Sequence, residues 1–254
     1  MTDPSTLTLV LLGLLGFAGG VGITAIGPGG VLPTIGLFTL TDLAPAEVAG
    51  TAILTHVATG LLGTAAYARS GHLREPETRR SALVLGLAAL VGTPLGVLIN
   101  TAVSPRAFGI VLAVFLAAVA VLVWYRERHH QSGTRPHPPI TAVAAVGFGV
   151  AVAAGIVGIG GPMLTVPLLI ALGARVLDAL AAAQAQSIVI AAVGSLGYLA
   201  HGAIDWPLAA LVGIPELAGV LLGWKIARAL PARGLTYALV AALAALAPYL
   251  ALHG

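Results

Sequence analysis

Twice in this chain a long apolar run is interrupted by a glycine- and proline-rich break, and the two breaks lie about 133 residues apart. The first reads Gly22-Ile-Thr-Ala-Ile-Gly-Pro-Gly-Gly30, followed by Val31-Leu-Pro33. The second reads Gly155-Ile-Val-Gly-Ile-Gly-Gly-Pro162, followed by Met163-Leu-Thr-Val-Pro167. Glycine accepts positive φ and close backbone approach, while proline lacks a donor and stops the helix before it. Backbone opened within hydrocarbon finds no partner there, so it must be buried in protein or face a polar cavity. Matched breaks in two halves of a chain are the pattern of a secondary transporter's binding site.

Composition agrees with a membrane setting. Hydrophobic residues make up 58% of the chain and charged residues 8%, against about 25% charged in a soluble domain. The net charge of +3 comes from basic residues in short loops between apolar runs. Such residues orient a chain in a bilayer and do not point to nucleic acid. There is no cysteine, which removes disulfides, thiolate chemistry and cysteine metal sites. Met1–Thr6 carries no basic region of the signal-peptide type, so the first apolar stretch is expected to stay in the mature protein.

Apolar segments fall near 6–26, 31–41, 46–68, 80–100, 104–125, 140–159, 162–173, 177–200, 206–227 and 233–252. Those at 31–41 and 162–173 are too short to cross a core of about 30 Å and read as half-helices after the breaks. The polar stretch Arg126–Pro139 divides the chain. The expected organisation is a first membrane repeat at 1–126, a cytoplasmic linker at 127–139 and a second membrane repeat at 140–254. Further parallels support duplication. Gly63-Thr-Ala-Ala-Tyr67 with Gly71 matches Gly194-Ser-Leu-Gly-Tyr198 with Gly202, Leu90–Pro94 matches Leu211–Pro215, and Ser104–Arg106 resembles Leu230–Arg233.

Loop charge sets the orientation. Arg69, Arg74, Arg79 and Arg80 put the 69–80 loop inside, whereas its counterpart His201–Trp206 has no Lys or Arg and falls outside. The next loop reverses this: the first half has only Arg106 and the second has Lys225, Arg228 and Arg233. With Arg126, Arg128, Arg135 and Arg175, one threading places eleven of the twelve basic residues inside. Equivalent loops then lie on opposite faces. The expected fold is an all-α polytopic membrane protein of two inverted repeats, each a Gly/Pro-broken helix unit plus three transmembrane helices. Parity requires each broken unit to return to the face it entered, as a re-entrant hairpin or as a full helix with a short tilted one.

A half-helix that starts after a break offers free N–H groups and the positive end of its dipole. Gly27, Pro28, Gly29 and Gly30 in the first break, with Gly160, Gly161 and Pro162 in the second, are therefore candidate anion-binding positions. Thr51, Thr55 and Thr59 share one helical face beside His56, and Gln184, Gln186 and Ser187 occupy the matching depth in the second half. On the Gly63/Gly194 register Gln186 aligns with Thr55, so the two are expected to face each other. Two ionisable residues sit near mid-span, His56 and Glu216, and both are candidates for proton coupling. His129, His130 and His137 read as solvated linker. No His/Asp/Glu spacing makes a metal site, and no cofactor motif is present.

Several of these segments resemble the TauE/SafE family of sulfite exporters, also called the TSUP superfamily. They are the paired breaks, Val48-Ala-Gly-Thr51, the Tyr67…Gly71 and Tyr198…Gly202-Ala-Ile-Asp-Trp206 segments, and Gly223-Trp-Lys-Ile-Ala-Arg-Ala-Leu-Pro231. The resemblance spans about 10–250 and implies a plasma-membrane carrier of small anions such as sulfite, sulfoacetate, thiosulfate, other organosulfur compounds and carboxylates. Pro28 stands where many members have another glycine, and Ala-Gln-Ala-Gln-Ser stands where a Gly-Thr-Ser-like stretch is frequent. Alternating access around the two breaks is the leading expectation, and an anion channel is its nearest competitor. An intramembrane enzyme is further off, because His56, Glu216 and hydroxyls form no recognisable catalytic motif.

Overall fold

The computed structural model describes residues 5–25, 27, 29–128 and 138–229. The expected segment at 233–252, most of the linker and Pro28 lie outside the described residues. The described chain is all helical. In order it comprises α1 (Thr6–Ala25), α2 (Leu32–Leu40), α3 (Pro45–Arg69), a 3-10 turn (His72–Arg74), α4 (Pro76–Thr101), α5 (Pro105–Arg128), α6 (Ile140–Val157), α7 (Pro162–Ala171), α8 (Val176–Ala200) and α9 (Trp206–Ala229). Six of these, α1, α3, α4, α6, α8 and α9, are long and apolar enough to cross a bilayer.

Local chemistry sets the helix ends. Pro45, Pro76 and Pro162 open their helices, where a missing N–H costs nothing. Glu47 reaches back to accept the Ala44 N–H at 2.8 Å. Gly71 and Gly202 adopt positive φ just beyond α3 and α8, the left-handed stop that glycine provides without a steric penalty.

Small residues allow the helices to pack at backbone distance. Gly16 and Gly20 of α1 lie on the carbonyls of Val212 and Glu216, and Gly219 and Gly223 of α9 lie on those of Phe17 and Val21. Gly92 and Gly96 of α4 meet Phe148 and Val152 of α6 in the same way. This is close packing of the kind that holds helices together in lipid, where apolar side chains gain little from burial. The large apolar side chains point outward instead: Leu83, Leu87, Val91 and Leu98 on α4, Leu196 on α8 and Ile214 on α9 are exposed.

These contacts also give direction. α1 and α9 run parallel, as do α4 and α6, because the contacts advance together along both chains. His56 meets Glu216 and Thr51 meets Asp205, so α3 is parallel to α9 and hence to α1. α3 and α8 are antiparallel, with Gly50 against Tyr198, Gly60 against Ile188 and Gly63 against Gln184. Since α1 and α3 share a direction, the short α2 brings the chain back between them. The unit of α1, break and α2 therefore starts and finishes at one end of the bundle. One end collects Arg69, Arg74, Arg79, Arg80, Arg175, Lys225 and Arg228, while Arg106 opens α5 at the other.

Candidate functional site

The first break begins where Ala25 ends α1. Gly27 takes φ 100°, and its N–H reaches back to Gly22 O at 3.0 Å. Gly29 lies directly on Gly22, so that a β-carbon at either would overlap the other's backbone. Leu32 N–H then closes on Gly29 O, and Ile35 N–H on Val31 O. Among the described residues no backbone carbonyl accepts from the N–H of Gly29, Gly30 or Val31, and no side chain caps α2.

His56, halfway along α3, holds this break in place. Its Nε2 lies 3.0 Å from Gly30 O, and its Nδ1 lies 3.3 Å from Glu216 Oε1 and 3.2 Å from Thr55 Oγ1. His56 and Glu216 are both fully buried. The Thr55 hydroxyl also lies 2.9 Å from Ala52 O, to which it donates. The Glu216 contact is an ion-pair distance without hydrogen-bond alignment, and both carboxylate oxygens are otherwise without a hydrogen-bond partner. A carbonyl can only accept, so Nε2 carries a hydrogen, an assignment made from its partner. One further proton held between Nδ1 and the carboxyl group would make the pair neutral overall, as imidazolium with carboxylate or as imidazole with carboxylic acid. Loss of that proton would leave a buried negative charge without compensation.

The second break turns at Gly158, at φ 75° and packed on the backbone of Ala49. Its carbonyl accepts the Thr34 hydroxyl from α2 at 3.3 Å. A β-carbon on Gly160 would stand 2.5 Å from Ser187 Oγ and 3.1 Å from His56 Cδ2, and one on Gly161 would stand 3.0 Å from Gln186 Oε1. Gln186 is satisfied on both sides, accepting from Thr165 at 2.6 Å and donating to Gly147 O at 3.1 Å. Gln184 Nε2 donates across the bundle to Ile23 O at 3.1 Å. Gln184 Oε1 and Ser187 Oγ are buried without partners. No side chain caps α7.

The breaks adjoin one another. Gly27 packs on Pro162 O and Val166, Thr34 bonds Gly158, and His56 touches Gly30 on one side and Gly160 on the other. Of the residues singled out from sequence, Gly27, Gly29, Gly30, Thr55, His56, Gly160, Gly161, Pro162, Gln186, Ser187 and Glu216 gather at this junction. Gln184 ties the end of α1 to α8. Thr51 lies elsewhere, its Oγ1 accepting the Asp205 N–H at the start of α9. Thr55 and Gln186 do not face each other, because each hydroxyl or amide is taken by partners in its own half. Pro28 is outside the described residues.

Two tyrosines, which in sequence stand out as repeat markers and within the family-like segments, complete the scaffold. Tyr67 donates to Thr24 O at 2.9 Å and Tyr198 to Gly155 O at 2.6 Å, each to a carbonyl 43 residues earlier. Tyr67 and Tyr198, Gly27 and Gly158, and Gly71 and Gly202 are all 131 apart, so one offset covers each half from break to loop. On it, His56 corresponds to Ser187. The glycine contacts of α4 and α9 instead set an offset of 127, pairing Gly92 with Gly219 and Gly96 with Gly223. The look-alike Leu90–Pro94 and Leu211–Pro215 stretches are thus not packing equivalents, and Glu216 corresponds to Ala89. Short motifs of Leu, Val and Gly recur by composition; carbonyl contacts do not.

The family profile described as Sulfite exporter TauE/SafE matches residues 12–250. The chain is also 26% identical over 228 residues to the "Probable membrane transporter protein YdhB" of Bacillus subtilis (strain 168), covering 87% of this chain and 91% of that one. No solved structure matches. With a bundle of membrane-length helices around two adjoining breaks, and a family match over nearly its whole length, this chain belongs to the TauE/SafE sulfite exporter family of membrane transporters.

Proposed function

We propose that the protein is a secondary transporter of small anions, with sulfite and organosulfur or organosulfonate anions as the substrate class, and that it is proton-coupled. The observation that carries this reading is the convergence of two uncapped half-helix N-termini, those of α2 and α7, on the buried His56–Glu216 pair. Free N–H groups and helix dipoles attract an anion without a buried arginine. The shared proton of His56 and Glu216 keeps that junction from repelling it. Antiparallel α3 and α8, which occupy equivalent places in the two halves, support inverted repeats and alternating access by rocking of one half against the other. The basic end supports a cytoplasmic location for Arg69–Arg80 and the linker, in a cell membrane.

The test is a thermal-stability screen of purified protein with sulfite, thiosulfate, sulfoacetate, sulfate and simple carboxylates, followed by uptake into proteoliposomes. A ligand present at 100 times its Kd raises stability by about 2.7 kcal/mol. Saturable uptake that follows an imposed pH gradient is the expected result. No shift with any of these anions, or uptake that never saturates, refutes the reading.

A further inference from the structure

Resting on that reading, we propose a division of labour between the breaks. The anion sits at the second break, against Gly160, Gly161 and Ser187, and binds only while the His56–Glu216 pair holds its shared proton. The first break is unsuited to a ligand. Gly29 is pressed on the Gly22 backbone, and the Gly30 carbonyl is taken by His56. An anion there would have to separate α2 from α1. At the second break Gly160, the counterpart of Gly29, meets the side chains of Ser187 and His56 instead of backbone, and Gly161 meets Gln186 Oε1 where Gly30 meets Ile23 and His56.

Ser187 is the independent pointer to a ligand. Hydroxyls on apolar helices commonly donate to the carbonyl one turn back, as Thr24 does to Gly20 and Thr39 to Ile35. Ser187 Oγ is fully buried, has no partner, and is directed at Gly160, next to the uncapped start of the ten-residue α7. One hydroxyl and the adjoining amides suit a small oxyanion of single charge, such as a sulfonate or hydrogen sulfite. Gln186 positions the site: with Thr165 donating to its Oε1, that oxygen presents less negative charge toward Gly161.

The same contacts impose the proton requirement. His56 lies between the seat and Glu216. With one proton the pair is neutral; without it, the charge of a buried carboxylate acts on an incoming anion across the His56 ring. Among the described residues no other ionisable group competes at this point. α1, α2 and α7 contain none, and Asp178 and Tyr198 of α8, Glu47, Tyr67 and Arg69 of α3, and Lys225 and Arg228 of α9 stand toward the helix ends. Linkage then fixes the stoichiometry: one proton taken up per anion wherever the free pair has lost it.

The test measures the Kd of methanesulfonate, whose charge is constant across the range, on the full chain in detergent from pH 5 to 9. On the alkaline limb Kd should rise about tenfold per pH unit. Glu216→Gln should flatten that slope. Ser187→Ala should weaken binding about tenfold at every pH and keep the slope. A flat wild-type profile, wild-type affinity in Ser187→Ala, or no methanesulfonate binding at any pH overturns the division of labour. If thiosulfate and sulfite bind while methanesulfonate shows one of these results, the transporter reading stands without it. If no anion binds, that reading fails first.

Discussion

In the first break Gly29 rests on the backbone of Gly22 and the Gly30 carbonyl is held by His56, whereas in the second the equivalent Gly160 and Gly161 face the side chains of Ser187, His56 and Gln186. Both breaks share the same frame. Each has a positive-φ glycine at its turn, a short helix leaving it, and a tyrosine donating to a carbonyl 43 residues earlier. The halves therefore agree in the turn glycine and the tyrosine brace and differ in what meets the glycines at the junction. His56 and Glu216, one from each half, are matched by Ser187 and Ala89. Two such ionisable pairs side by side would put four buried titratable groups at one point, at a high desolvation cost. A single pair opposite a small hydroxyl avoids that cost.

Substitutions can break or sharpen this contrast. The largest effect is expected from Gly29→Val, whose side chain has only the Gly22 and Ile23 backbone to enter. It should cost about 3 kcal/mol or more and remove the folded protein from size-exclusion profiles. Gly161→Val meets the end of Gln186 instead; it should remain folded and lose the stability shift with sulfite. Equal loss of fold in both would erase the distinction between a break packed on backbone and one packed on side chains.

His56→Ala should cost about 3 kcal/mol, because it leaves Glu216 buried and unpaired. The double change His56→Ser with Glu216→Ala puts at this pair the residues found at its counterpart positions, Ser187 and Ala89. Thermal unfolding should place it above His56→Ala in stability, with transport no longer dependent on pH. A double variant no more stable than the single one would mean that the pair is not the source of the cost.

Tyr67→Phe and Tyr198→Phe should each cost about 1 kcal/mol, and the near equality is the point. Midpoints that differ severalfold in their shift would show that the two breaks are not braced alike. His72→Ala should have the smallest effect, below about 1 kcal/mol. It removes the 3.2 Å link from His72 to Asp178 between the halves at the basic end, a partly exposed pair whose counterpart position, 131 residues on, is Ala203.

Much of the fold could be read from the chain. The segment limits near 46–68, 80–100 and 177–200 match α3, α4 and α8 closely, because uninterrupted apolar sequence in lipid has few alternatives to helix. The breaks were equally plain, since Gly and Pro disrupt helices locally. The partners were less so. Thr34, Thr165 and the two tyrosines act on carbonyls or amides far along the chain, and nothing near them in sequence names the acceptor. The pairing of Leu90–Pro94 with Leu211–Pro215 failed for the same reason: composition made the motifs alike, while packing aligned other glycines.

What the sequence determined alone was local: where helices run, where they break, and that a histidine and a carboxylate lie deep in apolar surroundings. Those follow from residue-by-residue preferences and from a solvent that offers no hydrogen bonds. Only the tertiary structure decided that Glu216 meets His56 and not another partner, that Gly30 sets the histidine's tautomer, and that Ser187 is left facing a glycine without a bond of its own. Such outcomes depend on distances between helices separated by a hundred residues or more, which helix packing sets and local propensity does not.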